Sequence, residues 1–182
     1  MKGLVFTEFL DLVDQAFGAE VTEQIVTDAG FESAGEYTAT GYYDHQEMLV
    51  LVTKLSETTG LPINDLVQTY GKYLLSRFVA LYPMFFQDVP DCFTFLESID
   101  NHIHVEVHKL YPDADLPRFD TKRVDEKTFE MLYRSQKPFG KLAHGLIEGA
   151  LKHFGEEAEI EAIDQTDPAA DLCQWTFKVT KV

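Results

Sequence analysis

Apolar positions in the first three-fifths of the chain recur at helical spacing. Leu4, Val5, Phe9, Leu12, Val13 and Phe17 predict a first helix, closed by Gly18. A second, shorter helix runs from about Glu20 to Ala29 and ends at Gly30, and residues 31–43 (FESAGEYTATGYY) have no periodicity. Asp44 stands where an N-cap belongs, ahead of Met48, Leu49, Leu51, Val52 and Leu55, and Thr59-Gly60 stops that helix. Pro62 opens a fourth helix carrying Leu66, Val67, Tyr70, Tyr73, Leu74, Phe78 and Leu81. Gly71 lies inside it and costs about 1 kcal/mol relative to Ala, which reads as close helix packing or as a hinge. After the ring-rich turn at residues 82–90, one long helix is predicted from about Asp91 to Leu110, ended by Tyr111-Pro112-Asp113.

Beyond Pro117 the period changes. Two runs of strand type flank the polar turn Asp125-Glu126-Lys127. In the second run Phe129, Met131 and Tyr133 alternate with Glu130, Leu132 and Arg134, which predicts a strand with one face buried. Residues 139–154 return to helical spacing, and two further strands follow, Ala158 to Ile163 and Leu172 to Val179, across the turn-rich DQTDPAAD. The expected class is α+β, a helical N-terminal lobe plus a four-stranded antiparallel sheet with helices packed on it. No linker separates the lobes, so we expect a single domain over 1–182, with about 1–60 helical and 61–182 carrying the long helix and the sheet.

Composition narrows the partners. Of 182 residues, 15 are Lys or Arg and 31 are Asp or Glu, a formal net charge of -16. Such a surface repels phosphate backbones, so neither nucleic acid nor an anionic membrane is an expected partner, whereas a basic protein surface is. Two cysteines, Cys92 and Cys173, are too few for a disulfide framework and read as free thiols in a reducing compartment. The first residues lack the apolar core of a signal peptide, and no apolar run approaches the ~20 residues that span a bilayer. A cytoplasmic protein is the expectation. Rings are abundant (14 Phe, 8 Tyr and 1 Trp), enough for a plain core or for the wall of a large flat ligand.

Histidines carry the candidate chemistry. His102, His104 and His108 lie in the string IDNHIHVEVHKLYP. On a wheel at ~100° per residue, Phe93, Leu96, Ile103, Val107 and Tyr111 form one apolar stripe. His104 lies at its edge, His108 farther out, and His102 nearly opposite. Geometry nominates His104 as the histidine aimed inward, either hydrogen-bonded to a carbonyl or serving as a ligand. His104 with His108 could alternatively be half of a zinc site, and with it a zinc-dependent enzyme, but the HExxH order is absent and no third ligand is near. No GxxxxGK[ST], GxGxxG or GxSxG string occurs. Tyr133, Ser135 and Lys137 project to one side if the strand continues through them, a phenol, a hydroxyl and an ammonium suited to an anion. A cofactor-free interaction module, its rings merely core, stays open on these residues alone.

Taken together, the N-terminal MKG, the string IDNHIHVEVHKLYPDADLPRF, the motif YRSQK and the helix GLIEGALKHFGEE resemble the H-NOX domain family, to which the heme domain of soluble guanylate cyclase belongs. The resemblance covers essentially the whole chain. It implies a non-catalytic gas sensor with heme b held non-covalently between the lobes. The family's proximal histidine, seven residues before the Tyr of the YP turn, is His104 here, and its porphyrin-contacting proline is Pro117. The family's tyrosine-x-serine-x-arginine motif, which binds the propionates, is matched at Tyr133 and Ser135, with Lys137 in place of the arginine. Lys is a point charge without Arg's bidentate fork. Oxygen-binding members carry a distal tyrosine where this chain has Leu142, and the other distal positions are Val5, Phe9 and Leu146. The resemblance thus implies that NO and CO bind and that O2 is not held stably. It further implies that NO weakens the bond between iron and His104 and that a partner reads the state in trans. For stand-alone bacterial members that partner is a histidine kinase or a cyclic-di-GMP enzyme, a diguanylate cyclase or phosphodiesterase.

Overall fold

The first helix needs partners for its leading amide groups, and the chain supplies them from a distant loop. In a computed structural model describing residues 1–31, 35–167 and 169–182, Gly3 N donates to Gly41 O at 2.8 Å and Leu4 N to Ala39 O at 3.0 Å. Helix α1 (Gly3–Phe17) then buries Phe6, Phe9 and Val13, and α2 (Ala19–Ala29) folds back on it. Residues 32–34 of the loop and residue 168 of the last connection fall outside the described residues. Asp44 caps α3 (His45–Thr59), its carboxylate accepting from Gln46 N at 2.9 Å. Helix α4 (Ile63–Leu81) follows.

The predicted long helix is broken. Helix α5 (Cys92–Ser98), capped by Asp91, gives way to a π-turn at Ile99–Ile103, and α6 (His104–Leu110) resumes the α-helix. His104 N donates to Ile99 O, closing a ring one residue wider than an α-turn. Asp100 and Asn101, both poor helix formers, occupy that turn. A wheel of constant pitch loses register there. The tie between Phe93 or Leu96 and the residues after Ile103 is therefore lost, while the relative placement of His104, Val107 and Tyr111 survives. His104 and Val107 are half-buried and His108 is exposed, as that part of the wheel requires; His102, inside the π-turn, is exposed as well.

The sheet is antiparallel in the order β1-β2-β4-β3, built from β1 (Arg118–Arg123), β2 (Thr128–Ser135), β3 (Ala158–Asp164) and β4 (Cys173–Lys181). On the inner face Phe129 pairs with Val179, Met131 with Phe177 and Tyr133 with both Phe119 and Trp175. Helix α7 (Gly140–Phe154) lies between β2 and β3 in sequence and packs on that face.

Two apolar clusters result. One gathers α1 to α4, including Phe6, Phe9, Leu51, Tyr70 and Leu74, and the other gathers the inner sheet face with α5 and α7. Each fully buried Phe or Leu contributes about 1.5–3 kcal/mol by leaving water. Helices α4 and α7 join the halves through glycines: a Cβ built on Gly145 would stand 2.0 Å from Gln68 O, and one on Gly71 2.4 Å from Leu142 O. Gly71 is thus explained by close packing, and the two backbones touch because neither has a side chain there. Phe78 and Leu146 pack against both clusters and mark the seam.

Candidate functional site

His104 stands at the first position of α6, directly after the π-turn. Its side chain is 15% exposed, and Nδ1 lies 3.0 Å from Asp100 Oδ1, one turn earlier. The carboxylate accepts, so the proton sits on Nδ1 and Nε2 is the free acceptor; Nε2 makes no hydrogen bond among the described residues. Burial pulls the His104 pKa below the ordinary histidine range, and Asp100 offsets only part of that. The ring is therefore neutral at neutral pH, which is the form a metal requires.

A chain of rings leads from His104 to the sheet. The His104 ring centroid lies 5.8 Å from that of Phe119 on β1, and Phe119 lies 5.6 Å from Tyr133 on β2. The register pairs Phe119 with Tyr133, which is why the two meet. At the end of β2 the polar trio does come together, though not as three teeth of one strand. The strand stops at Ser135, and the chain curls back. Lys137 N donates to Ser135 Oγ at 3.0 Å, and Tyr133 Oη reaches Lys137 O at 3.5 Å. Burial pushes the Tyr133 phenol well above its ordinary range, so it stays protonated and remains a donor.

Lys137 is already engaged. Its Nζ is 2.7 Å from Asp115 Oδ2 and donates to Asp115 O at 2.8 Å, with the side chain 13% exposed. An incoming anion must share this ammonium with Asp115 or replace that carboxylate. Pro117 is half-buried just ahead of β1, two residues before Phe119.

The remaining sequence-predicted residues lie on α1 and α7. Phe9 is buried and packs edge-on against Tyr70 at 5.2 Å, while Val5, Leu142 and Leu146 are half-buried and pack on the helical cluster. Tyr70 is fully enclosed and gives its hydroxyl proton to Val5 O at 2.5 Å; Tyr73 accepts from Gln15 Nε2 at 3.2 Å. The Tyr70 proton is thus spent on the α1 backbone, while Tyr73 acts in its bond with Gln15 only as an acceptor. The zinc alternative gains nothing. His108 is exposed, and among the described residues no group of three or more His, Cys, Asp or Glu could hold a metal ion. Sequence reasoning gave no role to Asp100, Asp115 or Phe119. Of these, Asp100 had a legible signal, since an acid four residues before a histidine shares its helix face.

A largely buried histidine beside Phe119, and Tyr133, Ser135 and Lys137 gathered at the sheet end, are the side chains of a class of domain that binds a ligand rather than turns one over. The comparisons give the family. The model of the haem-NO-binding family matches residues 2–162, and the chain belongs to that family. It is a heme-binding gas-sensor domain, a sensor rather than a catalyst, related to soluble guanylate cyclase. The crystal structure of the unliganded Fe(II) H-NOX protein of K. algicida superposes with a TM-score of 0.92 at 38% identity, over 100% of this chain and 97% of that one. An H-NOX mutant of T. tengcongensis shares the fold at a TM-score of 0.89 and 24% identity, over 100% and 97% of the two chains. Soluble guanylate cyclase gcy-35 of Caenorhabditis elegans is 28% identical over 113 residues, 61% of this chain but only 16% of that protein. This chain therefore spans about one-sixth of that relative. No helix among the described residues is long and apolar enough to cross a membrane.

The residues present fit heme. Nε2 of His104 is a free, neutral nitrogen donor, Phe119 supplies a flat apolar neighbour, and Tyr133, Ser135 and Lys137 supply the donors that two propionates need.

Proposed function

We propose that this chain binds heme b through His104 and senses nitric oxide, taking CO as well but not holding O2 stably. Tyr133, Ser135 and Lys137 receive the propionates, Pro117 and Phe119 flank the porphyrin, and Val5, Phe9, Leu142 and Leu146 form the gas side. The observation that carries the reading is the state of His104: half-buried, neutral, fixed through Nδ1 and free at Nε2. Bound heme would supply the iron that takes the gas, and His104 would be the residue of this chain that holds that iron and feels the change.

The gas preference rests on what the chain does not aim at that side. Bound O2 carries negative charge and gains from a hydrogen-bond donor. Leu142, Leu146, Val5 and Phe9 donate nothing, and Tyr70 spends its proton on the Val5 carbonyl. Release of His104 leaves α6 with little to hold it, because none of its seven side chains is buried. The segment is then free to shift against the α4–α7 pair, with a surface change as the output. That output goes to a signalling protein in trans, a histidine kinase or a diguanylate cyclase or phosphodiesterase, in the cytoplasm.

Admitting air to the reduced, heme-loaded protein tests the gas claim: rapid oxidation is expected, and a stable oxy spectrum overturns it. His104→Gly tests the ligand. Loss of the ferrous Soret signature, restored by added imidazole, is expected; an unchanged ferrous spectrum without imidazole rejects His104.

A further inference from the structure

The π-turn does more than interrupt a helix. It places Asp100 one turn before His104, with the carboxylate 3.0 Å from Nδ1. The contact is local and shielded on one side only: Asp100 is 35% exposed and His104 15%. Phe119 of β1 lies against the ring at a tilt, 39° between planes, and forms no hydrogen bond with it. His108, the next histidine on the helix, is exposed and makes no hydrogen bond to the His104 ring. Asp100 is the group that fixes which nitrogen carries the proton and how the ring is turned.

We infer that Asp100 is a positioning residue for heme ligation, acting through the Nδ1 proton of His104 to orient the ring and raise the donor strength of Nε2. The inference rests on His104 being the axial ligand. A carboxylate behind a ligating imidazole withdraws the Nδ1 proton partway and gives the metal a more basic nitrogen, and losing such an outer partner typically weakens a site roughly 10- to 100-fold. In a sensor whose signal is rupture of the iron–histidine bond, this carboxylate sets how readily that bond yields. A stronger Nε2 donor also favours the ferric state, so Asp100 holds the reduction potential down.

The test compares heme-loaded wild type with Asp100→Asn and Asp100→Glu. Asp100→Asn keeps an acceptor oxygen but drops the charge. It should lower the iron–histidine stretching frequency in the ferrous protein, move the midpoint potential positive, speed heme loss roughly 10- to 100-fold, and raise the five-coordinate share of the NO complex. Asp100→Glu should restore part of each. A folded Asp100→Asn protein with an unchanged stretching frequency and heme-loss rate overturns the inference. A second measurement holds even if that variant fails to fold. In heme-loaded His104→Gly, imidazole can donate its remaining N–H to Asp100, and 1-methylimidazole cannot. Imidazole should bind about tenfold or more tightly, by analogy with that outer-partner effect; equal affinities overturn the inference. If instead His104→Gly keeps the ferrous spectrum of wild type, the ligand reading itself falls and takes Asp100 with it. The two failures are thereby separated.

Discussion

The two helical segments that carry predicted heme contacts are built in opposite ways. Helix α7 is continuous over Gly140–Phe154, ends in a left-handed Gly155 cap, and buries seven of its residues, with Gly145 pressed against the α4 backbone. The segment from Ile99 to Leu110 is a π-turn followed by a seven-residue helix, and neither buries a side chain fully. Val105 and Leu110 are 46% and 69% exposed. Local stability follows buried apolar contact, so α7 opens only with the whole fold, while α6 opens at small cost. The lesson is a division of labour. One wall sets distances, and the other, which holds His104, is free to report whether it is tethered.

The sharpest way to break this comparison is to hollow the scaffold side. Phe177→Ala, under α7 on the inner sheet face, should cost about 3–5 kcal/mol in denaturant unfolding, because Phe177 is fully buried and the sheet cannot collapse around the void. A loss below about 1 kcal/mol would mean that this face is not the rigid half. Next comes Gly145→Ala, whose new methyl would meet the Gln68 carbonyl; thermal and denaturant melts should show about 1–3 kcal/mol of overpacking cost. The same melts on Val105→Ala should move by less than about 0.5 kcal/mol, as for other exposed positions. Native-state hydrogen exchange gives the matching local view. Amides of 104–110 should exchange well before those of 143–151, and heme loading should slow the former group most. Equal protection in both segments would dissolve the contrast.

The smallest effect concerns a weak spot on α7 itself. His144 Nδ1 is buried without a hydrogen-bond partner, and burial holds the ring's pKa below the ordinary histidine value. The folded state therefore prefers the neutral ring. Stability from this site is fully present above the unfolded-state value near ~6.5, falls as pH drops through it, and levels off below the folded value. His144→Gln should flatten the melting temperature against pH between about 7 and 5. An unchanged slope would show that the ring is not the source.

Much of this was legible in the sequence where local rules decide. The Asp44 cap, the glycine stops after α1 and α3, and the alternation of Phe129, Met131 and Tyr133 each rest on near-neighbour chemistry, and the elements formed where that chemistry put them. The inward turn of His104 was also readable, because its relation to Val107 and Tyr111 spans one short helix. The π-turn was not, since a wheel presumes constant pitch. Nor was the pairing of Lys137 with Asp115, whose 22-residue separation is closed by the β1–β2 pairing and the curl after Ser135. The trio of Tyr133, Ser135 and Lys137 met by a turn rather than by strand alternation. Arriving at the right neighbours by the wrong geometry is a reminder that proximity and path are separate claims.

Helix α4 carries a consequence for how the molecule comes apart. Along one helix, Tyr70 and Leu74 belong to the N-terminal cluster, and the next residue, Leu75, to the sheet cluster. Neither half owns it. Melting one half strips the other of a wall, so calorimetry of the apo chain should give a single endotherm whose van't Hoff and calorimetric enthalpies agree. The same sharing means that limited proteolysis should find no cut that leaves a folded fragment on either side of residue 61.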